Sequence, residues 1–235
     1  MSDRFKAILF DLDGTLLDSN MENFLPHYFS RLAARVAHIA PPKVFIAHLL
    51  EATEVMMAND GRATNEEVFS AAFYPFAGHT RVELEPIFMD FYARDFPALG
   101  EFTRRKLEAR PVVQLAFALG YKVAIATNPL FPETAIRQRM AWAGVDDFPY
   151  DWVTTYENSR CCKPNLCYFD AIAERLDVPA EACLVVGDED MDMAAARAGF
   201  ATYLVPSAAT ALSPATPEPT YRGALADLAN LLGTL

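Results

Sequence analysis

Four apolar runs constrain the fold of this 235-residue chain more than any other feature. They are FKAILF (5–10), YKVAIAT (121–127), ACLVVGD (182–188) and ATYLV (201–205), with a shorter WVTTY at 152–156. The four runs are short, bounded by turn residues and apolar at nearly every position rather than at alternate ones. Strands of that kind are buried on both faces, as in a parallel sheet covered by helices. The intervening segments agree. Helical spacing runs over 103–118 with Gly120 behind it, from Pro132 to Ala143 with Gly144 behind it, from Pro164 to Leu176, and over 191–199. Proline at the start and glycine past the end are the expected punctuation. Residues 206–220 read as loop, Tyr221 as a short edge strand, and 223–233 as a last helix. The alternation predicts an α/β fold with a doubly wound parallel sheet.

The first strand is cut off from the others by a long helical block. Phe24, His27, Tyr28, Arg31 and Leu32 repeat at helical spacing, Pro41-Pro42 ends that helix, and Thr64 to Glu67 matches a capping box. The expected organisation is a core domain of residues 1–17 and 99–235, with a helical domain of residues 18–98 inserted after the first strand. Phe69, Phe73, Tyr74, Phe76, Phe88, Phe91, Tyr92 and Phe96 fall in the insertion, and a helical core accounts for most of them.

The composition is that of a globular protein, 52% hydrophobic and 22% charged. A net charge of -11 argues against nucleic acid or an anionic membrane as partner. A small anionic substrate stays open, because a bound cation can invert the local field. Cys161, Cys162, Cys167 and Cys183 form no CxxC pair and read as free thiols of a reducing compartment. There is no signal-peptide pattern and no apolar run long enough to span a bilayer. A cytoplasmic protein is expected.

Ligands of open parallel sheets bind beyond the carboxyl ends of the strands. Strand one ends in Asp11 and Asp13, YKVAIAT in Thr127 and Asn128, and ACLVVGD in Asp188, with Glu189, Asp190 and Asp192 behind it. Lys163 stands where a helix begins, against the helix dipole, and so answers a local negative charge. Singly, each could be a turn former, a strand end or a helix-terminal acid. Together they bring carboxylates, a hydroxyl, an amide and an ammonium to one sheet edge. Crowded carboxylates suit a hard divalent cation such as Mg²⁺, and a carboxylate so held can attack phosphorus.

These residues resemble the motifs of the haloacid dehalogenase superfamily. DLDGT (11–15) resembles its first motif, Thr127-Asn128 its second, Lys163-Pro164 its third and GDEDMD (187–192) its fourth, in order. The resemblance implies a Rossmann-like core and an α-helical cap of the first cap type in the insertion. It implies that Asp11 is nucleophile and metal ligand, and that Asp13 is acid and base, with its carbonyl on the metal. Thr127 and Asn128 would hold the phosphoryl group and Lys163 would stabilise its charge. Asp188 would bind Mg²⁺, and Asp192 would bind through water or orient the site.

The expected function is a Mg²⁺-dependent phosphatase acting on a small phosphorylated metabolite through an aspartyl-phosphate. A sugar phosphomutase of the same superfamily is the alternative, weakened because DSNMENFLPHYF carries His27 without a nearby Lys. A haloacid dehalogenase fits less well, since the resemblance assigns it no second aspartate. A non-catalytic binding or regulatory protein is the reading from another class. Cap residues Asn20, Asn23, Phe24 and His27 are candidates to face the phosphate.

Overall fold

The computed structural model describes residues 5–77, 79–207 and 210–234. The expected core segments 1–17 and 99–235 are therefore seen from residue 5 and to residue 234. The side chains of Phe76 and Ala77 are also outside the description. A six-stranded sheet forms from β1 (Ala7–Phe10), β4 (Lys122–Ile125), β5 (Trp152–Val153), β6 (Cys183–Gly187), β7 (Ala201–Leu204) and β8 (Tyr221–Arg222). Its order is β5-β4-β1-β6-β7-β8, and every pairing is parallel. The first strand in sequence thus lies at the centre, between β4 and β6, although more than a hundred residues separate it from either.

Strand alternation sends side chains to opposite faces. Ile8 and Phe10 join Val123, Ile125, Leu184 and Val186 on one face, under helices α5 (Ala109–Ala118), α6 (Glu133–Ala143) and α9 (Leu225–Thr234). Ala7 and Leu9 join Ala124 and Val185 on the other, under α7 (Leu166–Leu176) and a 3-10 turn at Ala194–Ala198. The sheet is doubly wound, as the strand runs implied.

Between the first and second strands of the sheet lie α1 (Met21–Val36), α2 (Pro42–Met57), α3 (Asn65–Ala77) and α4 (Arg81–Arg94). Pro42 opens α2, and Thr64 and Glu67 make the reciprocal capping bonds expected of them. A third apolar cluster, rich in phenylalanine, packs these helices together and continues into Ala135 of α6. A two-stranded antiparallel ribbon links both passages of the chain, β2 (Leu17–Asp18) with β3 (Arg104–Arg105).

Several expectations shift. The helix predicted from 103 begins at Ala109, because the backbone of Arg104 and Arg105 is taken up by the ribbon. The strand predicted over 152–156 stops at Val153, where Asn158 accepts from the Thr155 amide and donates to the Val153 carbonyl, turning the chain. The helix over 191–199 is one turn, α8 (Asp190–Met193), followed by the 3-10 segment. The cysteine reading needs correction as well. Cys161 and Cys167 are joined in a disulfide, with Cys162 and Cys183 left as buried thiols. The pair is six positions apart in sequence, but the turn through Lys163 and Pro164 into α7 brings their Cα atoms to 6.1 Å. No helix among the described residues is long and apolar enough to cross a membrane.

Candidate active site

Three adjacent strands deliver the acidic and phosphate-type residues to one edge. Asp11 follows β1 directly, Thr127 stands two residues beyond β4, and Asp188 follows β6. Leu12 is fully buried, so the chain puts a core side chain between two polar ones. Gly14 then turns at φ 80°, and a Cβ there would sit 2.2 Å from Asp188 Oδ2. Gly187 is constrained by close approach alone, since a Cβ would fall 2.1 Å from Asp192 Cγ. These two glycines let the carboxylate-bearing turns approach each other.

Asp11, Asp13, Thr127, Asn128, Lys163 and Asp192 line one cavity of about 150 Å³. Asp188 lies behind it, its carboxylate within 4.8 Å of oxygens from Asp11 and Asp192. Lys163, brought in from the loop after β5, is buried and donates from Nζ to Asp11 Oδ1 at 2.8 Å and to Asp192 Oδ1 at 2.5 Å. Burial works against that ammonium, but the two carboxylates outweigh it and hold its pKa above the ordinary lysine value. Asp192 is occupied on both oxygens, because Oδ2 accepts from the amides of Asp188 and Glu189. Burial raises Asp192 to about 6, with Lys163 opposing the rise. Asp188 accepts from the Thr15 hydroxyl at 2.8 Å. Burial, reinforced by the charges of Asp11 and Asp192, pushes it up to about 8.

The donor set fits a hard divalent cation. Three buried carboxylates share one locus with one ammonium among them, and the charges of Asp11 and Asp192 add to the burial that raises Asp188. Asp11 and Asp188 retain oxygens for a ligand, whereas Asp192 is committed to Lys163 and two amides. Thr127 helps to line the cavity, and its carbonyl is fixed by the Tyr168 and Thr154 hydroxyls at 2.8 and 2.7 Å. The Asn128 side chain accepts from the Lys163 amide at 3.2 Å, coupling the two loops.

Arg139 was not singled out from the sequence. It sits on α6, 3% exposed, lines the cavity and pairs with the Asp13 carboxylate, which also accepts from the Ser19 hydroxyl at 2.7 Å. Burial lowers its pKa to about 10, which leaves it charged at neutral pH. Its Nη1 has no hydrogen-bond partner among the described residues. A signal was available, since Ala135, Ile136, Arg139, Met140 and Ala143 form the buried stripe of α6, an arginine in an apolar row. Conversely, the expected cap residues do not line this cavity. Asn20 caps α1 by accepting from the Asn23 amide, Phe24 is buried among aromatics, and His27 stacks on Phe102 at 3.6 Å. Met21 is the residue of α1 that reaches the cavity.

Residues 5–199 match the sequence pattern of haloacid dehalogenase-like hydrolases. The chain belongs to that family. Solved structures with the same fold include the L-2-haloacid dehalogenase of Xanthobacter autotrophicus, 20% identical with a TM-score of 0.58 over 98% of this chain and 99% of the other. A phosphatase of the family from Thermococcus onnurineus is 19% identical with a TM-score of 0.63, covering 97% and 98%. The 2-haloacid dehalogenase of Pseudomonas syringae pv. tomato is 19% identical with a TM-score of 0.66, covering 98% and 99%. No curated protein sequence matches. This haloacid dehalogenase-like hydrolase therefore shares its fold with both dehalogenases and phosphatases.

Proposed function

We propose that this hydrolase is a Mg²⁺-dependent phosphatase of a small phosphorylated metabolite, with α1–α4 as its cap. The observation that carries the reading is Asp13, a second carboxylate on the same cavity as Asp11. A halide leaves without a proton, whereas an alkoxide leaving from phosphorus needs one. A general acid beside the nucleophile has work only in the second reaction.

In this reading Asp11 attacks phosphorus, the bond from phosphorus to the leaving oxygen breaks, and Asp13, entering the step in its protonated form, supplies the proton to that oxygen. The resulting aspartyl-phosphate is opened by water, which yields a proton to the Asp13 carboxylate as its oxygen bonds phosphorus and Asp11 is released. Lys163 and the Thr127 hydroxyl face the phosphoryl charge, and Asn128 holds the Lys163 loop in register. Mg²⁺, held by Asp11 and Asp188 with the Asp13 carbonyl, would offset carboxylate repulsion and polarise a phosphoryl oxygen. Asp192 supports this by orienting Lys163. Arg139 keeps Asp13 on the cavity wall, and its unpaired Nη1 is a donor available to an anion there.

The test is hydrolysis of p-nitrophenyl phosphate with Mg²⁺ and with chelator. Turnover should require the metal, and Asp11→Asn should lower it by about a thousandfold or more while the fold is kept. Full activity in that variant would overturn the mechanism. Halide release from 2-chloropropionate in place of phosphate release would move the assignment to a dehalogenase.

A further inference from the structure

A second cavity, of about 290 Å³, lies among α1, α2, α3 and α4 and the loop after β4. Its lining contains no charged side chain. Leu32, Leu49, Phe69 and Phe88 form much of it, and hydroxyls are its only side-chain polar groups. Five side chains carry them: the hydroxyls of Tyr28 and Tyr92 are hydrogen-bonded to each other at 3.0 Å, that of Thr53 donates to the Leu49 carbonyl at 2.8 Å, and those of Tyr74 and Tyr156 are single neutral groups on an otherwise apolar wall. The chamber therefore has little to offer a charged or strongly polar group, and burying one there uncompensated would be costly.

The aromatics of this region fall into two kinds. Phe73, Phe91 and Phe96 are fully buried and make the core of the helical block. Phe69, Tyr74, Phe88 and Tyr92 are only half-buried, and all four turn a surface to the chamber. At its rim Leu50 and Met57 are 43% and 38% exposed, so the chamber meets solvent through apolar side chains. Leu130 and Phe131 line both this chamber and the catalytic cavity. They follow Asn128 and Pro129 directly, so one loop supplies the phosphoryl-facing residues and the chamber wall.

We propose that the chamber receives an uncharged aromatic or alkyl group, the organic part of a phosphoester whose phosphoryl group lies against Thr127 and Lys163. The inference rests on the phosphatase reading for the identity of the ester, but the preference for an apolar group follows from the lining alone. An engineered apolar cavity of about 150 Å³ takes benzene, so one of this size has room for roughly a bicyclic ring system. Sugar phosphates and phosphorylated amino acids carry more polar groups than the few tyrosine hydroxyls here could satisfy, and no lining residue would answer a charge.

The chamber is tested by calorimetric titration of the protein with 2-naphthol, which carries no phosphate. The alcohol should bind with a dissociation constant below about a millimolar, and two cavity-filling variants, Thr53→Phe inside and Leu50→Trp at the rim, should each weaken it about tenfold or more. With Mg²⁺, the ratio of kcat/KM for 2-naphthyl phosphate to that for acetyl phosphate should fall by about the same factor in both, through KM. Absence of 2-naphthol binding, or binding that neither folded variant alters, overturns the proposal. Binding of 2-naphthol with no turnover of either phosphate retains the apolar chamber and overturns instead the phosphatase reading of the neighbouring site.

Discussion

Arg139 of α6 pairs with the carboxylate of Asp13 across 126 residues of sequence, from within the α/β core rather than from α1–α4. The guanidinium is buried and its carboxylate partner nearly so. Removing one member of a buried pair leaves the other uncompensated. Arg139→Met should therefore destabilise the protein by about 3 kcal/mol, the lower end of such losses, because the cavity gives Asp13 some access to water. Urea unfolding measures this. A variant as stable as the parent would show that water, not Arg139, satisfies Asp13.

The acidic cluster makes a second prediction. Ionised Asp188, Asp11 and Asp192 repel one another, and a divalent cation bound only by the folded protein would relieve that. Mg²⁺ at a hundredfold excess over its dissociation constant should add about 2.7 kcal/mol of stability, seen as a rise in Tm. Above pH 8, where metal-free Asp188 ionises, Asp188→Asn removes one of the like charges, so at pH 9 the metal-free protein should be at least as stable as the parent while its response to Mg²⁺ disappears. An equal Mg²⁺-induced rise in that variant would place the ion elsewhere.

Gly14 is required twice over, by a φ of 80° and by the 2.2 Å that would separate a Cβ from Asp188 Oδ2. The backbone conformation alone costs a non-glycine residue about 1–2 kcal/mol. Gly14→Ala should lower Tm by at least the equivalent and blunt the Mg²⁺ response, because relief of the clash displaces Asp188. Differential scanning calorimetry with and without Mg²⁺ reads both effects. Gly120, also at positive φ but with open space around its Cβ position, is the control that isolates the backbone contribution.

The cysteines give a prediction about pH. Burial pushes the Cys162 and Cys183 thiols up to about 12. In the unfolded chain a thiol ionises near 8.5, so its burial as a neutral group adds stability that is complete below that pH and is lost as pH rises towards 12. Urea midpoints measured from pH 8 to pH 11 should fall progressively, and Cys162→Ala with Cys183→Ala should reduce that slope. The native thiols should resist iodoacetamide at pH 8. Under denaturing conditions without reductant, two thiols should react, with Cys161 and Cys167 withheld in their disulfide. Four reactive thiols would show that bond to be absent in solution.

The sheet was readable because each central strand declares itself as a short apolar run between turns. Its order was not, since nothing local says that β1 pairs with both β4 and β6. The site residues were readable for a related reason, as charged and hydroxyl groups at the ends of buried strands have few purely structural uses. Asp11, Thr127, Lys163 and Asp192 meet at one cavity because parallel strands end on one edge. Arg139 escaped notice because a helical stripe tolerates one long polar residue, and only the packing of α6 shows where it points. The disulfide escaped because spacing does not reveal how a loop turns.

By itself, the sequence determined the layer architecture and the set of groups gathered at the strand ends, since both depend on patterns a few residues long: hydrophobic periodicity, turn residues and polar termini. The tertiary structure decided which of those groups share charges, that Asp13 is held by Arg139, and that side chains from four helices, half-buried aromatics among them, enclose a chamber beside the site. Those features depend on distances between segments far apart in the chain, which packing alone establishes.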